Sequence, residues 1–206
     1  MMKKHRLTTW RLVSFYLITL VLVIAGCFAA LYLAGFVPQT VLREHYISSA
    51  EQIESEGVFP YVFNKNAFNS RLDNHTESII IMGSYYMDIA TLPDSPISNP
   101  FIRLGVDEMT TVAKDDSIKA DSFYIRYWMG FRSIIRPLLA FFDYGEIRTL
   151  ISFFFYLLLI VTAFIIARHS NMMIGLSFFL SILALNPILI GNSIQFSSIF
   201  FISFIF

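Results

Sequence analysis

Residues 12–37 carry no charged side chain. Coiled as a helix rising about 1.5 Å per residue, a run of this length exceeds the roughly 30 Å hydrocarbon core of a bilayer. Lys3, Lys4, Arg6 and Arg11 stand immediately before it, whereas the far side opens with Pro38 and Arg43 and then turns acidic. Basic residues are retained on the cytoplasmic side of a first span, so residues 1–11 are expected in the cytoplasm and the chain beyond residue 37 outside it. Trp10 and Tyr16 suit the near interface, where amphipathic rings settle. The run is too long for the apolar region of a cleaved signal peptide. Ile24-Ala25-Gly26-Cys27 has the form of a bacterial lipobox, but residues 28–37 stay apolar where a lipoprotein would begin a polar tether. Gly26, Ala30 and Ala34, four apart, are better read as a small-residue packing stripe on an uncleaved anchor.

Composition agrees with a membrane solvent. The 206 residues are 56% hydrophobic and 15% charged, against about 25% charged in a soluble domain. The formal net charge of zero hides a segregation. Residues 38–147 hold nine basic and all fifteen acidic residues, a net of −6. No basic block has the form of a nucleic-acid footprint, so no nucleic-acid partner is expected. The single cysteine, Cys27, excludes an intramolecular disulfide, and no Cys/His cluster suggests structural zinc.

Two further apolar runs follow. Residues 149–167 are charge-free and bracketed by Arg148 and Arg168, and residues 172–190 form a third run after a turn at 168–171. So short a turn predicts an antiparallel pair of spans, with the turn back in the cytoplasm. Asn186-Pro187 interrupts the third run. Residues 191–206 read as an outer turn and the start of a fourth span. The expected fold class is therefore a mainly α, polytopic membrane protein, with a helical and irregular extracytoplasmic segment at 38–148.

Within that segment residues 40–56 carry Val41, Leu42, Tyr46, Ile47, Ala50 and Ile53 at helical spacing, and Gly57 and Pro60 end the pattern. Residues 64–74 are Asn-rich and loop-like. Asn74 followed by Glu77 matches a capping box opening a helix through Met82. Pro93, Pro96 and Pro100 predict irregular chain over 91–100, and 115–121 reads as a polar break. Residues 122–142 mix aromatic side chains with Arg126, Arg132 and Arg136. The sequence predicts here a helix lying on the outer leaflet, its rings half-buried and its guanidinium groups at lipid phosphate.

Two clusters could carry chemistry. Asp73 and Glu77 are four apart, so a helix would put both carboxylates on one face. Such a pair can divide general-acid and general-base work or, with His75, hold a divalent cation; helix capping and solvent exposure explain the same residues without chemistry. Asn74-His75-Thr76 is also a glycosylation sequon. Arg126, Arg132 and Arg136 could grip the phosphate of a lipid-linked donor, or simply anchor to anionic headgroups. The charge-free spans speak against an ion-coupled transporter, and neither a phosphate loop nor a nucleophile elbow occurs.

An N-terminal span, a long outer loop with an acidic motif, an amphipathic segment and then a span hairpin resemble the N-terminal portion of GT-C-type polytopic glycosyltransferases. The resemblance is one of topology. It implies that Asp73 and Glu77 of the outer loop support catalysis, that Arg126, Arg132 and Arg136 meet the lipid phosphate, and that a polyprenyl-phosphate-linked sugar is the donor for cell-envelope polysaccharide. The alternative is a non-catalytic scaffold or subunit whose partners are the bilayer and other membrane helices.

Overall fold

The computed structural model describes residues 9–62, 70–90, 92–98, 100–102, 106–115, 117–123 and 130–205. Helices α1 (Thr9–Gly35) and α7 (Tyr144–His169) are long and apolar enough to cross a membrane. Between Trp10 and Ala30 α1 presents no buried side chain. Near its C-terminal end Leu31 and Ala34 pack inward against Met87, and Gly35 lies buried beside Ile89. Each large apolar side chain left in water forgoes about 1.5–3 kcal/mol of burial. The exposed series from Leu12 to Phe28 therefore needs a non-aqueous neighbour. The helix runs unbroken through Cys27.

A polar helical unit lies between these two helices in sequence. It comprises α2 (Gln39–Glu56), α3 (Asn74–Tyr85), the one-turn α4 (Ser95–Ser98), α5 (Val106–Lys114) and α6 (Arg132–Leu139). Leu42, Tyr46, Ala50 and Ile53 recur at spacings of four and three, and this stripe of α2 is fully buried against α3, α5 and α6. Val41 lies outside the stripe and is exposed. The Tyr46 and Tyr85 rings stack with centroids 4.1 Å apart, and the Tyr46 hydroxyl donates to the Met109 carbonyl. Gly57 ends α2 at φ +81, a left-handed conformation that favours glycine, and its N–H reaches the carbonyls of Ile53 and Glu54.

Several expectations need correction. Residues 91–100 are not wholly irregular, because α4 forms there and β1 (Pro100–Phe101) pairs antiparallel with β2 (Ser122–Phe123). Residues 122–142 are not one helix. A strand begins the segment, residues 124–129 lie outside the described residues, and α6 covers only eight residues, including Pro137. The loop expected over 64–74 is described only from Ser70, where Val62 and Leu72 N–H groups bond the Ser70 and Pro60 carbonyls and bring the two flanks side by side.

After α6, Asp143 and Glu146 form a capping box that starts α7. This D-x-x-E pattern before an apolar run is a local signal in the sequence itself. Asn171 caps α8 (Met172–Leu183) by accepting from the Ile174 N–H, so a two-residue turn reverses the chain. At 12 residues α8 is about 18 Å long, short of the bilayer core. The third apolar run is broken where Pro187 was expected to interrupt it. Asn186 adopts a left-handed conformation, and its side chain caps α9 (Pro187–Gly191). Helix α10 (Ile194–Ile205) then packs on α7, where Phe155 meets Phe200 and Phe204.

Candidate functional site

The first acidic candidate, Asp73, is the N-cap of α3. One carboxylate oxygen accepts from the Thr76 N–H at 3.0 Å, the other from the Thr76 hydroxyl at 2.6 Å. This displaces the expected cap by one residue. A carboxylate beside the positive end of a helix suits the dipole better than an amide. Asn74 is instead the first helical residue, fully buried, with its Nδ2 donating to Glu56 Oε2 and to the Gly57 carbonyl. In this fold the sequon is closed to a glycan.

Glu77 is not a capping-box partner either. One turn into α3 its side chain is fully buried beneath the N-terminus of α10. Oε1 accepts from the Ser193 hydroxyl at 2.6 Å and from the Gln195 N–H at 3.2 Å, while Oε2 accepts no hydrogen bond. The Ser193 hydroxyl also accepts from the Phe196 N–H. Carboxylate and hydroxyl thus satisfy orphan donors at the start of α10. Burial pushes the Glu77 carboxyl up to about 7, despite opposition from those hydrogen bonds and from Arg148.

Around it lies a network that residue spacing did not point to. Arg148 forms a fork-to-fork pair with Glu56, at 2.9 and 3.0 Å, and its guanidinium sits 4.2 Å from the centroid of the Tyr144 ring. Although burial raises the Glu56 carboxyl, hydrogen bonds from Arg148, Asn74 and Gln52 outweigh it and hold the group below its ordinary value. The Tyr144 N–H donates to the Ser49 hydroxyl of α2. The start of α7 is thus fastened to α2, and the start of α10 to α3.

The arginines face inward. Arg132 and Arg136 share one face of α6, as their spacing requires, and both are fully buried. Arg132 donates to the carbonyls of Gly83 and Pro96. Arg136 donates to the carbonyls of Ser84 at 2.6 Å, Tyr85 at 2.8 Å and Val37, and lies 3.8 Å from Asp88. Gly83, Ser84 and Tyr85 end α3, so the two guanidinium groups satisfy the carbonyls that a helix C-terminus leaves open. Burial pulls both groups down to about 10, which keeps them charged at neutral pH. Arg126 lies outside the described residues.

The structure therefore separates the two carboxylates and keeps the two arginines together. Asp73 and Glu77 serve different helix N-termini, and Arg132 and Arg136 serve a helix C-terminus. Among the described residues no cluster of three or more His, Cys, Asp or Glu side chains is placed to hold a metal ion. No protein-family model, curated protein or solved structure matches the chain.

Proposed function

We propose that the chain is a multi-pass membrane protein with a cytoplasmic N-terminus and residues 38–148 outside, working as a non-catalytic component of a larger membrane assembly. The observation that carries this is the fate of the reactive side chains. Asp73, Glu77, Arg132 and Arg136 are each engaged by backbone or side-chain partners within the fold. The basic flank of the first apolar run and the two long, mostly exposed apolar helices support the membrane placement. A role exercised through contacts suits α1, which packs on α4 and α6 near one end and leaves the rest to lipid or other helices.

The test is purification of the full tagged chain in mild detergent at native expression. A stoichiometric complex with other membrane subunits is the expected result. A chain that purifies alone and transfers sugar from a polyprenyl-phosphate donor contradicts it.

One observation favours glycosyl transfer as a second reading: Glu77 is a carboxyl poised near neutrality, as a general acid or base requires. Its full burial beneath α10 counts against it. Under that reading Asp73→Asn and Glu77→Gln abolish transfer while leaving insertion intact; unchanged transfer removes both from catalysis.

A further inference from the structure

Helix α6 is built with its polarity reversed. Arg132, Ile135, Arg136 and Leu139 form its buried face. On the opposite side Ile134 is 62% exposed and Phe141, two residues past the end of the helix, is 72% exposed, while Leu138 between them packs partly against the core. A helix that turns its guanidinium groups inward and its isoleucine and phenylalanine outward is poorly suited to water on that outer side.

The surroundings of α6 identify what lies there. The Arg136 guanidinium holds the carbonyl of Val37, the residue at which the first charge-free run ends. Phe36, beside it, is 68% exposed. At its C-terminal end α6 is joined by residues 140–143 to the first turn of α7, and the second charge-free run begins at Thr149. The middle of α6 is thus clamped to the exit of the first apolar run, and its C-terminal end leads through the first turn of α7 into the second. A helix held between two such points lies at the level where a bilayer would end.

Resting on the membrane placement proposed above, we infer that α6 is a membrane-surface helix whose exposed side, with Ile134 and the following Phe141, enters the outer boundary of the lipid bilayer. The partner is lipid acyl chain, met to a depth of about 5–10 Å, as for interfacial helices generally. The buried arginines act from behind, fixing α6 to α3 so that its apolar face is presented rigidly.

The test uses the full chain with Cys27→Ser, reconstituted in vesicles of phosphatidylcholine with a minority of phosphatidylglycerol. Nitroxide labels are placed singly through Ile134→Cys, Phe141→Cys, Leu20→Cys in α1 and Glu51→Cys on the exposed side of α2. Positions 134 and 141 are surface positions, so neither substitution removes a core contact. Labels at 134, 141 and 20 should relax faster with oxygen than with a water-soluble nickel chelate, and the label at 51 should show the reverse. If 134 and 141 behave like 51 while 20 stays lipid-like, the inference fails and the membrane placement stands. Shielding of 134 and 141 from both reagents means protein covers the face, and this also overturns it. An aqueous response at 20 removes the membrane placement and the inference with it.

Discussion

Glu77→Gln should remove a pH dependence from the stability of the fold. The Glu77 carboxyl titrates at about 7 when folded, against an ordinary value of 4.5. Between those values the folded chain holds a proton that the unfolded chain has released, so stability falls as pH rises. The interval corresponds to about 3 kcal/mol. Glutamine preserves the shape, and its carbonyl can accept from the Ser193 hydroxyl and the Gln195 N–H as Oε1 does. At about pH 4.5 the acid is largely protonated in the folded chain, and wild type and variant should melt together. At about pH 8.5 the variant should be the more stable, and for a chain of this length about 3 kcal/mol corresponds to about 6–12 °C in midpoint. Intrinsic-fluorescence melting in detergent at the two pH values measures the difference, and groups common to both proteins cancel. If the difference does not change with pH, or wild type gains on the variant as pH rises, burial does not govern Glu77. The α10 N-terminus would then be stabilising the carboxylate more than desolvation opposes it.

Arg136→Lys keeps the charge but loses the fork that spans the Ser84, Tyr85 and Val37 carbonyls; destabilisation of about 2–4 kcal/mol is expected by melting. Glu56→Gln breaks the paired contact with Arg148 at neutral pH and should cost about 1–3 kcal/mol there. Because the Glu56 carboxyl is held below its ordinary value, this contribution is present above that value and disappears as pH falls through the folded one, so wild type and variant should converge in acid. Gly175→Ala places a methyl 2.7 Å from the Ala163 carbonyl oxygen and 2.6 Å from the Ala167 Cβ. Backbone cannot yield there as a flexible side chain would, so α8 must move away from α7, at about 1–3 kcal/mol in detergent melting.

What the sequence could and could not disclose divides along physical lines. The α2 stripe, its stop at Gly57 and the break at Asn186-Pro187 depend on neighbours a few residues away, and all were readable. The i, i+4 spacing of Arg132 and Arg136 correctly put them on one face. It could not say that this face turns inward, because the carbonyls that draw it belong to α3, about fifty residues earlier. The charge and helix position of Glu77 are plain in the sequence, yet its partner Ser193 stands 116 residues away with no local pattern to announce it. Asp73, a candidate for chemistry by its charge, is the cap in the structure, one position from the residue whose pattern predicts that role. Long-range polar contacts, rather than helix positions, are where the site escaped the sequence.

The central claim, that residues 38–148 form a unit outside the membrane with the α7–α8 turn returning inside, is most directly tested by cysteine accessibility in intact cells. With Cys27→Ser as background, Glu51→Cys and Asp107→Cys occupy exposed positions of the polar helical unit, and Ser170→Cys occupies the exposed turn between α7 and α8. A membrane-impermeant maleimide should label positions 51 and 107 in intact cells and position 170 only after permeabilisation. Labelling of 170 from outside, with 51 and 107 protected until the membrane is opened, would contradict the proposed orientation. Equal labelling of all three in intact cells would contradict α7 crossing the membrane.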